Sequence, residues 1–323
     1  MENMASECRR IVVALGGNAI SAPGKIGTID EQFEQVAQTA ESLCDAIERG
    51  YHLVITHGNG PQVGNVLRRV EIATHELYPI PLEVCVADTQ AGMGYMIAQC
   101  LANAMAPRNL TCDVAVIVTT VLVDVADPAF VRPTKAIGSV LNATDAELHR
   151  TRDSWTIRDE GAGRFRRLVP SPIPRKIVEM PTISQLVESG KIVVCCGGGG
   201  IPVAVDQWGS VRGVAAVIDK DRTTGILARE LNAHTLVILT SVPYACINFG
   251  KSDQQQLEQI TADRAEQYLQ AGHFGTGSMQ PKMETAVDFV RRSPHADAKA
   301  IIAHVNQLGA ALDGESGTQI VRA

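Results

Sequence analysis

Short, uninterrupted apolar runs recur along the chain, and each ends in a glycine-rich or small polar turn. Ile11 to Leu15 runs into GGN, Leu53 to Ile55 into THGNG, and Val114 to Val118 into TT. Ile192 to Cys196 runs into GGGG, Leu236 to Leu239 into TSVP, and Ala300 to Val305 reads as one more buried strand. Between the first two runs, Phe33, Val36, Ala37, Ala40, Leu43, Ala46 and Ile47 follow helical spacing, and Gly50 marks the stop. Apolar strands alternating with amphipathic helices imply βαβ units and a parallel sheet covered on both faces. Aromatic residues make up only 4% of the chain, which argues against an all-β sandwich or barrel. With 45% hydrophobic and 20% charged residues, a disordered or collagen-like chain is excluded. At 323 residues, the length suits two domains or one large α/β unit.

The formal net charge of −6 gives no basic footprint for nucleic acid. It leaves room for a small anionic substrate, because a few lysines inside a cleft act locally. The eight cysteines (Cys8, Cys44, Cys85, Cys100, Cys112, Cys195, Cys196, Cys246) form no C-x-x-C pair and most lie in apolar stretches. They are expected to be buried thiols in a reducing compartment. The opening MENMASECRR has no apolar signal core, and no stretch approaches 18 apolar residues. A soluble, cytoplasmic protein with no membrane partner is the expectation.

One segment departs from the rhythm. Arg150 to Lys176 holds eight basic residues against Asp153, Asp159 and Glu160, a local charge of +5, with Pro170, Pro172 and Pro174 and no clear period. Residues from about 127 to 175 therefore read as an excursion from the sheet, a small lid or flap.

In open parallel sheets, ligands sit at the carboxyl ends of the strands, where this chain puts its glycines. Gly16, Gly17 and Asn18 follow the first run, Gly58, Asn59 and Gly60 the second, and Gly197 to Gly200 the fourth. Glycine lets backbone N–H groups come close to an oxyanion, so three such loops imply a phosphorylated or carboxylated ligand. Gly58, Gly60 and Gly64 are spaced one residue too widely for a dinucleotide fingerprint, and no P-loop motif occurs. Lys220 stands between Asp219 and Asp221, and Lys282 lies just inside a helix start after GSM, with Pro281 in the first turn. A helix N-terminus with free N–H groups suits phosphate.

These stretches together resemble the carbamate kinases of the amino-acid kinase superfamily. The resemblance runs nearly end to end through VALGGNAI, THGNGPQVGN, DPAFVRPTKAIG, GAGRFRRLVPSPIPRKIVE, CCGGGGIPV, AVIDKD, LTSVPYACINFGK and GHFGTGSMQPK. Superfamily members that phosphorylate N-acetylglutamate, aspartate or glutamate carry a lysine just before the first glycine pair, where this chain has Ala14 and Leu15. The chain departs from the carbamate-kinase pattern at Ala136, Ser241, Gly275, Thr276 and Gln280.

The resemblance implies a three-layer αβα sandwich on a mainly parallel sheet of about eight strands, with a protruding lid. It divides the chain into an acceptor half, residues 8–205 with the lid at about 127–175, and a nucleotide half, residues 206–323. The implied reaction is reversible phosphoryl transfer between ATP and carbamate, giving ADP and carbamoyl phosphate. In the cell it would run toward ATP in arginine or other carbamoyl-phosphate breakdown. Lys220 and Lys282 would hold the transferred phosphoryl oxygens, Asp221 and Asp219 would orient the lysines, and Lys135 would close from the lid. Mg2+ would accompany the nucleotide, with no protein residue assigned to it. The adenine pocket would involve Thr240, Ser241, Val242, Tyr244, Phe274, Gly277, Ser278 and Met279. A homodimer is implied as well. A superfamily kinase acting on another small carboxylate and a non-catalytic binding protein on the same scaffold are the competing readings.

Overall fold

A computed structural model describes residues 9–21, 27–275 and 277–322, apart from the side chains of Asn18 and Ser139. Cys8 and Thr276, singled out above, lie outside the described residues. Among the described residues the main sheet has eight strands: β1 (Arg10–Leu15), β2 (His52–His57), β3 (Val114–Val116), β4 (Ile192–Val194), β5 (Thr235–Thr240), β6 (Gln259–Thr261), β7 (Lys299–His304) and β8 (Thr318–Val321). Their spatial order is β6-β8-β7-β5-β1-β2-β4-β3. Every pairing is parallel except β7 with β8.

Continuous apolar runs are what a strand buried on both faces needs, and the side-chain alternation divides them between two cores. Val12, Ala14, Val54, Leu236 and Ile238 face one layer, which includes Ile183, Leu227, Met283 and Phe289. Ile11, Val13, Leu15, Ile55 and Leu239 face the other, which includes Val36, Leu43, Ile97 and Leu101. The result is the three-layer sandwich. Helix Ile29–Glu48 in the second layer starts with a capping box between Thr28 and Glu31. It ends where Gly50, at φ +81°, lets Tyr51 donate back to the Ala46 carbonyl.

The excursion is more regular than its sequence suggests. Lys135–Leu141, Thr156–Asp159 and Phe165–Val169 form a three-stranded antiparallel sheet, with helix Ala143–Arg152 in the first connection. Its strands are largely half-exposed, so neither face imposes a strong apolar period. At its neck, Asp127 accepts a hydrogen bond from the Ile173 N–H, closing the two ends of the segment together. Val63 and Leu67 of helix Gly60–Ala73 share a small buried cluster with Ile137 and Val169, and this cluster seats the excursion on the body.

Candidate active site

The carboxyl ends of β1, β2, β4 and β5 lie along one edge of the sheet, and helices starting there bring the charged residues together. Helix Lys220–Glu230 begins at an N-cap, Asp219, whose carboxylate accepts from the Asp221 N–H. Lys220 is therefore the first residue of the helix and Asp221 the second. Helix Met279–Arg292 carries Lys282 in its first turns, after Ser278.

Asp221 is the hub. One of its carboxylate oxygens takes the Lys220 Nζ and the other takes the Lys282 Nζ at 2.7 Å. The Asp221 side chain is only 4% exposed, and the two lysines are 12% and 13% exposed. Burial by itself would raise the Asp221 pKa, but the two ammonium groups outweigh it and hold the carboxyl well below the usual range. Burial lowers the Lys220 pKa, Asp221 opposes that, and the charge of Lys282 adds to it. The arrangement keeps two cations close together on a single counter-charge.

Lys135 reaches in from the excursion and pairs with Asp219 at 2.9 Å. This pair is more open, with the lysine 36% exposed. Burial and the neighbouring Asp221 act to raise the Asp219 pKa, and Lys135 together with Lys220 outweighs them, leaving the carboxyl lowered. Together with Gly58, Asn59, Gly60, Gly198, Gly277 and Ser278, the three lysines and two aspartates line a cavity of about 180 Å³. Thus Lys135, Lys220 and Lys282 converge from positions up to 147 residues apart, through pairings 84 and 61 residues apart in sequence.

A second cavity, of about 280 Å³, opens beside the first and shares Ser278 and Lys282 with it. Thr240, Ser241, Val242, Tyr244, Phe274 and Met279 line it. So do Cys246, Phe249 and His273, which lie inside the quoted motifs but were not assigned to this pocket from the sequence. They come from the hairpin Ala245–Ile247 and Gln255–Leu257 and from the turn after the next helix, and only the flanking motif residues hinted at them. Among the positions that depart from the family pattern, Ser241 and Gly275 face this cavity. Gln280 does not line it and donates instead to Glu284 at 2.7 Å.

The glycine loops are used differently from the sequence expectation. Gly16, Gly58, Gly199 and Gly200 each donate their N–H to an internal carbonyl, so these groups are not available to an anion. Among the glycines in question, Gly58, Gly60 and Gly198 line the charged cavity, whereas Gly16, Gly17, Gly197, Gly199 and Gly200 do not. Asn18 lies in the short helical turn after β1. The run Gly197–Gly200 is buried, and side chains there would collide with His57, Asn59, Ile218 and Val121 in turn. Close packing of this loop against the β2 loop, Ile218 and Val121 requires residues without side chains here. Asn59 is in turn held by Thr89, to which it donates at 2.8 Å.

Among the described residues, seven cysteines are free thiols, and all but Cys112 are buried. No cluster of three or more His, Cys, Asp or Glu side chains suited to a metal occurs among the described residues. No helix there is long and apolar enough to cross a membrane.

Residues 9–304 match the amino acid kinase family. The chain is 44% identical over 318 residues to a carbamate kinase of Thermococcus kodakarensis, covering 97% of this chain and 99% of the relative. It is 42% identical over 315 residues to a carbamate kinase-like protein of Escherichia coli, covering 97% and 98% of the two chains. The carbamate kinase of Giardia lamblia bound to AMP-PNP superposes with a TM-score of 0.91 at 36% identity, covering 98% of this chain and 99% of that one. With eight strands in this order, two cavities joined at Lys282 and full-length similarity to those enzymes, the chain belongs to the carbamate kinases of the amino acid kinase family.

Proposed function

We propose that this protein is a carbamate kinase, transferring a phosphoryl group between ATP and carbamate in either direction. The observation that carries the reading is a single cavity in which three lysines meet, opening onto a second, more apolar cavity through Lys282 and Ser278. The second cavity would take the nucleotide, with its phosphates directed toward the lysines.

Toward ATP, a terminal phosphate oxygen of ADP attacks the phosphorus of carbamoyl phosphate. The P–O bond to the carbamoyl group breaks, and carbamate leaves as an anion. In the reverse direction carbamate is already anionic, so no general base is needed. The barrier lies in bringing anions together in line and in stabilising the charge on the group in flight. Lys220 and Lys282 would neutralise the transferred phosphoryl oxygens, and Asp221 would fix the position of both ammonium groups. Pre-set charges in a site that excludes water act more strongly than they would in bulk solvent. Lys135 would exchange Asp219 for the acceptor or its phosphorylated form, and the excursion that carries it would act as a lid.

A divalent cation, Mg2+ in this reading, would supply charge neutralisation at the nucleotide phosphates. The carboxylates of Asp219 and Asp221 are hard donors suited to it, and both are already engaged by lysines. The site therefore fits a cation that is held mainly by phosphate and water. Division into an acceptor half and a nucleotide half, homodimeric assembly, a cytoplasmic location and a role in arginine or other carbamoyl-phosphate breakdown belong to the same proposal. The test is ATP formation from ADP and carbamoyl phosphate by the purified protein with Mg2+. Turnover is expected, and its absence in a folded protein that binds ADP would favour a non-catalytic role.

A further inference from the structure

Helix Gly60–Ala73 connects two parts of the site. Gly60, its first residue, lines the charged cavity together with Asn59. One turn further on, Gly64 is buried against the lid. A Cβ on Gly64 would lie 3.0 Å from the Gly138 Cα and 3.2 Å from its N. The lid backbone thus comes as near to the helix as it does only because residue 64 has no side chain. Alanine is intrinsically better than glycine inside a helix, so packing has overridden propensity at this position. Gly138 has φ +72° and sits where the lid strand breaks register with its neighbour, three residues beyond Lys135. Val63 and Leu67 of the helix enclose the contact together with Ile137 of the lid. From this seat Lys135 reaches Asp219.

We propose that Gly64 is a positioning residue: its backbone-to-backbone contact with Gly138 sets how far the lid strand lies from the body, and so where Lys135 Nζ sits over the phosphoryl cavity. The helix then couples the loop that lines the cavity floor to the lysine that closes over it. The inference rests on the proposed action of Lys135 on carbamoyl phosphate. An added methyl group at residue 64 pushes the lid strand outward while leaving the Lys220–Asp221–Lys282 cluster and the nucleotide cavity in place.

The experiment compares Gly64→Ala, Lys135→Ala and the double variant in ATP formation from ADP and carbamoyl phosphate, with ADP affinity measured in parallel. Gly64→Ala is expected to lower kcat by about tenfold, the scale of a sub-ångström misplacement, and to leave the ADP Kd within about twofold. In a Lys135→Ala background the same substitution should cost less than about twofold, because there is no lysine left to misplace. Gly92→Ala serves as the control: it is another helix-interior glycine, its Cβ would meet open space, and kcat should stay at the parent value. If Gly64→Ala fails to fold, Leu67→Ala loosens the same seat and is read in the same way. Lys135→Ala with parental turnover would overturn the role of Lys135 itself. An impaired Lys135→Ala combined with an unimpaired Gly64→Ala, or losses that multiply in the double variant, would overturn the positioning role alone.

Discussion

The two lysine–aspartate groups of the site differ in what holds them. Lys220, Lys282 and Asp221 are buried, and both lysines stand on helices packed against the main sheet. Lys135 is more than twice as exposed as either, and its pairing with Asp219 crosses the boundary between lid and body. The first group is a permanent charge cluster that leaves room for an anion. The second is a more open contact, which in the proposed reaction is traded for substrate. In a phosphoryl-transfer enzyme the fixed cluster suits the group in flight and the exchangeable lysine suits the reactant that must enter and leave.

Removing the hub should have the largest effect. Asp221→Ala leaves two buried ammonium groups without their counter-charge and should destabilise the fold by about 3–5 kcal/mol, with turnover lost as well. Urea unfolding measures the first effect. A variant as stable as the parent would show that the cluster is far better solvated than its burial implies.

The buried region should also carry a pH signature. His57, at the end of β2, is fully buried, and burial pushes its pKa down to about 4. Its ordinary value is 6.5, so in this window the unfolded chain binds a proton that the folded chain refuses. The contribution is therefore complete above about pH 6.5 and is lost as the pH falls toward 4, amounting to about 3 kcal/mol. Asp221, with a folded pKa below the ordinary carboxylate range, loses its contribution only at lower pH. Unfolding free energies measured between pH 7 and pH 4 should fall for the parent and flatten for His57→Gln. An equal slope in both would remove His57 from the account.

Lys282→Ala tests the cluster as chemistry. Loss of one charge-assisted contact to the transferred group should lower kcat by about 100-fold, with a much smaller change in melting temperature because Lys220 still pairs with Asp221. Lys135→Ala should have the smallest effect of the four. Turnover should fall roughly thirtyfold, ADP affinity should be kept, and stability should change by less than about 0.5 kcal/mol. Weakened ADP binding with intact turnover would put Lys135 on the wrong side of the cleft.

Much of the architecture could be read from the sequence because the physics is local. Ile11–Leu15 and Leu236–Leu239 are apolar throughout since both faces of β1 and β5 are covered. The stop at Gly50 follows from its positive φ. The motif residues around Lys220 and Lys282 pointed to the right edge of the sheet. The lid sheet was not legible, because half-exposed strands such as Phe165–Val169 leave no alternation to read. The contact of Asp221 with both lysines joins residues up to 61 apart, and only the family resemblance pointed to Asp221 as the residue that orients them. The four glycines after β4 were read as an anion cradle, and the crowding of their backbone by His57, Asn59, Ile218 and Val121 is a tertiary reason for glycine that the sequence does not show. Cys246, Phe249 and His273 reach the second cavity only through tertiary packing, and no spacing in the chain announces them.

Whether the lysine cluster serves phosphoryl transfer between carbamoyl phosphate and ADP is decided by one paired measurement. Parent protein and Lys282→Ala, both confirmed as folded and able to bind ADP, are given ADP, carbamoyl phosphate and Mg2+, and ATP is followed with time. Steady ATP formation is expected from the parent and a rate about 100-fold lower from the variant. Equal rates in the two proteins, or no ATP from the parent above the uncatalysed background, would contradict that role.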